Sequence, residues 1–168
     1  MRAYVFAGGE NAGSKGLEGA LQHDMLRRGL ARVAAIGAGR GCGAALLAGE
    51  RQARDAKLGI WADSSHAVLR AEEPGAVLAA HGRYALVEGL VLSVRESGGT
   101  IYVNFGRRWS EDFTVTIAKR NERTFAAAGM EPKRLERRRI RVRGVVEIRG
   151  GPWIEVTRPE QIELVGQD

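Results

Sequence analysis

A chain of 168 residues has room for one or two small domains, and 44% hydrophobic with 27% charged residues is an ordinary globular composition. No apolar stretch approaches the roughly 18 residues a membrane span needs, Met1 to Glu10 lacks a signal-peptide layout, and the single cysteine, Cys42, excludes an internal disulfide or a multi-cysteine metal site. The net charge of +6, carried by 22 arginines among 26 basic residues, suits a polyanionic partner, although arginine richness also follows from codon bias.

Glycine punctuates the first forty-odd residues. Ala3 to Ala7, with Tyr4 and Phe6 alternating against Val5, reads as a strand running into the Gly8-Gly9 loop. Leu21, Met25, Leu26, Leu30 and Val33 recur at helical spacing, with Gly29 marking an end or a bend. Ala44 to Leu58 is the clearest helix: Leu47, Arg54, Leu58 and Trp61 lie along one side, and Glu50–Arg54 and Arg51–Asp55 are opposite-charge pairs one turn apart. Gly59 stands where a left-handed cap would stop it. Residues 64–81, with Ser64-Ser65, Glu72-Glu73 and Pro74-Gly75, form a connector with room for a short helix.

From residue 82 the pattern changes to strands. Tyr84 to Glu96 is followed by a Gly98-Gly99 turn, then by Thr100 to Gly106, in which Ile101, Val103 and Phe105 alternate with Tyr102 and Asn104. Phe113, Val115 and Ile117 alternate with Thr114 and Thr116. Asn121 is placed to cap a short helix that ends at Gly129. Arg139 to Ile148 and Trp153 to Thr157 pair around Gly150-Gly151. Five strands with a helix between the third and fourth is the order of an OB-fold. The predicted fold class is therefore α+β, mainly β: an OB-like five-stranded barrel over residues 82–168, a connector over 64–81, and a strand with two helices over 1–63.

The first segment carries a further signal. Met25-Leu26-Arg27-Arg28-Gly29-Leu30-Ala31-Arg32-Val33, then Leu46 to Arg54, then Leu58-Gly59-Ile60-Trp61-Ala62-Asp63, resembles the end of the thermonuclease (staphylococcal nuclease-like) fold. Val87-Glu88-Gly89, Tyr102 to Gly106, Asp112 to Val115 and Pro152 to Val156 look like the extra domain that follows that fold in some bacterial members. The resemblance implies a phosphodiesterase that uses calcium held by aspartates, two arginines on the phosphate and a glutamate beside the attacking water. In the family these residues precede the segment matched here. Met1 stands where the strand after the family's Gly-Arg pair would begin, and Arg2 is shifted along it. No catalytic residue, metal ligand or cofactor is therefore carried over to this chain, and calcium is implied only for complete members. The resemblance also implies that residues 1–63, lacking most of the barrel they cover in the family, pack on the C-terminal barrel or on a second copy of the chain.

The leading binding feature is the basic run Lys133 to Arg143. Within it Lys133 and Arg134 precede a predicted strand on which Ile140 and Val142 face inward while Arg139, Arg141 and Arg143 share the outer face. Such a row spaces guanidiniums about 6 to 7 Å apart, comparable with successive phosphates of a single strand. The bland alternative pairs these arginines with Glu147, Glu155 or Glu88 on adjacent strands. Tyr102, out of phase with Ile101 and Val103, and Trp109, in the Arg107-Arg108-Trp109 loop, are the stacking candidates, with core or cap roles as their alternative. Phe105 and Phe113 belong to the core. Glu111-Asp112 point to opposite faces of a strand and do not share a metal. His23-Asp24 lacks a nucleophile and reads as exposed helix, and Cys42 as structural.

The sequence thus predicts a thermonuclease-like protein without a recognisable catalytic set, whose barrel binds single-stranded DNA or RNA through arginines and a few aromatic rings. Two alternatives stand beside it: a calcium-dependent nuclease of which this is a truncated chain, and a structural or protein-binding module. The expected compartment is cytoplasmic, or secreted or periplasmic if a leader precedes Met1, and no membrane association is expected.

Overall fold

The computed structural model describes residues 21–34, 43–108 and 110–166. The predicted strand at 3–7, Cys42 and Trp109 lie outside the described residues. The chain divides into two compact units, Met1–Ala67 and Val68–Asp168.

In the first unit, helix α1 spans Leu21–Arg27 and α2 spans Gly43–Asp55. Each ends in the same hydrogen-bonded reversal. After α1, Gly29 takes φ +66° while its N–H reaches Leu26 O and that of Leu30 reaches Met25 O. After α2 the left-handed residue is Lys57 (φ 52°), not the predicted Gly59, with Leu58 N–H donating to Ala53 O. Gly59 is required for a different reason. Ile60 N–H donates to Gly29 O at 2.9 Å, and a Cβ at either glycine would overlap the backbone opposite. Leu26, Val33 and Leu46 form a small core. Beside it Glu50, wholly buried, pairs with Arg54 at 3.2 Å and accepts the Val33 N–H, so the predicted i,i+4 pair lies inside the unit. The guanidiniums of Arg32 and Arg54 lie 5.1 and 5.7 Å from the Trp61 ring centroid. His23, read as exposed, is buried against Gly49.

The second unit is built from β1 (Leu69–Arg70), α3 (Pro74–Leu78), β2 (Tyr84–Leu90), β3 (Ser93–Ser97), β4 (Thr100–Asn104), β5 (Thr114–Ala118), α4 (Glu122–Ala127), β6 (Arg139–Val145), β7 (Glu147–Arg149), β8 (Gly151–Val156) and β9 (Ile162–Leu164). Its strands form two sheets, β1-β2-β6-β9 and β3-β4-β5-β8-β7. The pairings run in a circuit: β2 with β6 antiparallel, β3 with β4, β4 with β5, β5 with β8 parallel, and β8 back to β7. Each long OB strand is bent between the sheets. The predicted strand over 84–96 breaks at Val91-Leu92, where Val91 N–H donates to Arg138 O and Leu92 N–H donates to Asn104 O, one bond toward each sheet. Val146 makes the matching break between β6 and β7. The resulting order of five strands, 1-2-3-5-4-1, is that of an OB-fold.

Alternation fills the interior. Val87, Val103, Phe113, Val115, Ile140, Val142, Ile154 and Val156 are buried in one core, which Phe125 of α4 and Leu135 join. A fully buried Phe or Ile contributes about 1.5–3 kcal/mol. Positive φ at both Gly98 (56°) and Gly99 (76°) gives the tight β3–β4 turn that the Gly-Gly pair predicts. Two strands depart from the sequence reading. β1, inside the predicted connector, pairs parallel to β2, and β9, in the unassigned C-terminal stretch, pairs antiparallel to β6.

Candidate nucleic-acid interface

The arginine row of β6 alternates as predicted, with Ile140 and Val142 in the core and Arg139, Arg141 and Arg143 on the opposite face. That face does not present open cations, and the expectation of a phosphate-binding ladder is corrected. Arg141 lies in register with Glu88 of β2 on one side and Glu163 of β9 on the other, at 2.7 and 3.5 Å. Arg139 lies 3.5 Å from Glu72 and 3.7 Å from Glu88. Arg143 is 1% exposed and ion-paired with Glu163, itself 5% exposed. Three guanidiniums thus alternate with three carboxylates, and the local charge cancels. The physical reason is the central position of β6. A strand flanked on both sides meets a glutamate on each, and β9 supplies one that the strand reading did not contain. Of the pairing partners anticipated, only Glu88 serves.

The other predicted basic residues are dispersed. Arg134 pairs with Glu131 at 2.8 Å in the turn Pro132–Leu135, where Lys133 is exposed. Arg108 pairs with Glu111 at 3.0 Å, and its N–H donates to the Asp112 carboxylate, which packs against Gly106. Asp112 thereby ties the loop on itself.

Tyr102 and Arg107 come together on the other sheet, where the outer face of β3-β4-β5-β8 forms a groove of about 920 Å³. Strand phase and register order its lining. One row reads Arg95, Tyr102, Thr116, Glu155 across the four strands, and the next reads Ser93, Asn104, Thr114, Trp153. Tyr102 is 37% exposed, which settles its outward orientation. Thr114 and Thr116 form the floor. In the second row Thr114 Oγ1 donates to Asn104 Oδ1, and Asn104 Nδ2 donates to Ser93 Oγ, both at 3.4 Å. Thr116 Oγ1 is buried with no hydrogen-bond partner. Arg149 closes one end, its guanidinium 3.2 Å from the Trp153 ring centroid and 3.7 Å from Glu147. Arg95 and Arg107 are exposed and make no ion pair among the described residues. Just beyond Ala118, Lys119 bonds both Glu96 and Glu122, and these carboxylates hold its ammonium above the ordinary lysine range.

Arg95, Asn104, Thr116, Arg149, Trp153 and Glu155 were not predicted as site residues. The signal existed. Each has outward phase on its strand, and the OB order places those strands side by side. Three arginines against one glutamate, with one open ring, make a surface able to neutralise phosphates and stack a base. Among the described residues there is no group of three or more His, Cys, Asp or Glu side chains placed to hold a metal, and no helix long and apolar enough to cross a membrane.

No protein-family model matches the sequence, and no curated protein is similar to it, so the nuclease-like resemblance rests on the motifs alone. Among solved structures, an aspartyl-tRNA synthetase from Entamoeba histolytica is similar with a TM-score of 0.43 and 16% identity, over 64% of this chain and 23% of that one. The asparaginyl-tRNA synthetase from Pyrococcus horikoshii gives 0.40 and 20%, over 60% and 23%. The S. pombe Stn1–Ten1 complex gives 0.37 and 8%, over 50% and 59%. The chain spans less than a quarter of the synthetases' length. The OB topology assigned above stands on the strand pairing itself.

Proposed function

We propose that the second unit binds single-stranded nucleic acid in the β3-β4-β5-β8 groove. One observation carries the reading: an exposed tyrosine lies in the middle of a concave sheet face, bordered by two arginines that no carboxylate among the described residues neutralises. Single strands are held by such a combination, with guanidiniums on the phosphates and a ring under a base. The same face and its bordering loops are where OB-folds take oligonucleotides. Across four strands the groove is about 14 Å wide, which suits one strand rather than a duplex.

Fluorescence anisotropy with a labelled 12-mer at low salt tests this. Tyr102→Ala should weaken binding about tenfold, within the range of one base–aromatic stack. Lys133→Ala, in the turn Pro132–Leu135 and not part of the groove lining, should change it by less than about twofold. Equal binding by wild type and Tyr102→Ala would overturn the assignment.

The nuclease-like motifs at 25–63 favour a second reading, in which the first unit belongs to a calcium-dependent phosphodiesterase and the barrel holds its substrate. Calcium-stimulated cleavage of DNA by the chain would establish it.

A further inference from the structure

Resting on that reading of the groove, we propose that the row Arg95–Tyr102–Thr116–Glu155 takes one nucleotide crosswise and selects guanine. The four side chains stand on four adjacent strands in one register, spanning about 14 Å. Their chemistry follows the order of a nucleotide's own parts. Arg95, at the β3 edge, meets the phosphate. Tyr102, on the next strand, lies under the base. Thr116 and Glu155, on the following two, meet the edge of the base that would otherwise pair.

Two observations single out guanine. The Glu155 carboxylate is exposed in the groove and has no cation or donor on it among the described residues. An ionised carboxylate accepts hydrogen bonds and does not donate. Lying in a face meant for phosphates it is repulsive, unless a ligand brings donors to it. Guanine offers two adjacent donors on its pairing edge, N1–H and the N2 amine, matching both carboxylate oxygens. Adenine and cytosine offer one exocyclic amine there, and thymine or uracil one ring N–H. Beside Glu155, Thr116 lines the groove at 5% exposure, and its Oγ1 is buried just beneath the surface with no hydrogen-bond partner among the described residues. Uncovered as the base displaces the side chains above it, this hydroxyl can donate to the guanine O6, which flanks N1–H. The pair therefore offers two acceptors and a donor in sequence, the complement of the guanine edge alone.

The test compares labelled dT12 with dT12 carrying one central guanine, adenine or cytosine, by anisotropy on the full chain. The wild type should bind the guanine-containing strand about tenfold more tightly than dT12, as a bidentate base contact gives, and the adenine and cytosine strands within about threefold. In Glu155→Gln the guanine-to-thymine ratio should fall to about twofold, since one acceptor is replaced by a donor. In Thr116→Val, which keeps the side-chain volume, the ratio should fall roughly threefold. A wild type that binds dT12 but shows no guanine preference overturns this inference and leaves the groove reading standing. So does a ratio that Glu155→Gln does not move. Failure of every oligonucleotide to bind at low salt overturns both.

Discussion

Salt dependence separates the two arginine surfaces of the barrel. For single strands, log K falls with log salt at a slope of about −0.7 for each phosphate neutralised. In the groove, Arg95 and Arg107 are without ion-pair partners among the described residues, whereas Arg149 is opposed by Glu147 and spends its flat face on Trp153. Two phosphates give a slope of about −1.4, so raising salt from about 50 to about 200 mM should weaken binding roughly sevenfold. Arg95→Ala should halve the slope to about −0.7 and the loss to roughly threefold. The row on β6 would predict a different result. Its three arginines, fully engaged, would give a slope near −2.1 and a loss of about eighteenfold. But each already faces a carboxylate, so a phosphate could enter only by displacing Glu72, Glu88 or Glu163, with no net release of counterions. Arg139→Gln, at the half-exposed end of that row, should leave the slope unmoved. Anisotropy titrations of a labelled 12-mer at four or five sodium chloride concentrations measure all three. A slope that ignores Arg95→Ala and responds to Arg139→Gln would refute the reasoning.

Two further predictions concern stability. Glu163→Ala takes a carboxylate away from the buried Arg143 and from Arg141, and should cost about 3–5 kcal/mol in urea unfolding, whereas the paired replacement Arg143→Met with Glu163→Leu should come within about 2 kcal/mol of wild type. In the first unit, Gly59→Ala forces a Cβ onto the carbonyl of Gly29 at a positive φ, and should cost more than the roughly 1–2 kcal/mol of a left-handed alanine alone. Faster hydrogen exchange at Ile60, whose N–H crosses to Gly29, would register that loss locally, and unchanged protection there would refute the contact.

What the sequence could and could not disclose follows from the range of each signal. Period-2 alternation is local, and it assigns Ile101, Val103, Val115, Ile117, Ile140 and Val142 to the interior correctly. Gly98-Gly99 is also local, because two consecutive left-handed residues define their turn without outside help. Whether an outward-facing arginine is free is a property of the neighbouring strands, and those are set by pairing. Arg141 and Arg95 look alike in one dimension, each following a β-branched apolar residue on a strand. They differ because β6 is central and meets Glu88 and Glu163 in register, while β3 is the terminal strand of its sheet and meets only β4. The three-residue strand β9 was too short to show a period, yet it carries the glutamate that neutralises the most buried arginine. A dense run of one charge in a sheet protein therefore points first to the middle of a sheet, where oppositely charged strands flank it. The cations left for a polyanion are the sparse ones at the edge, here Arg95 beside Tyr102.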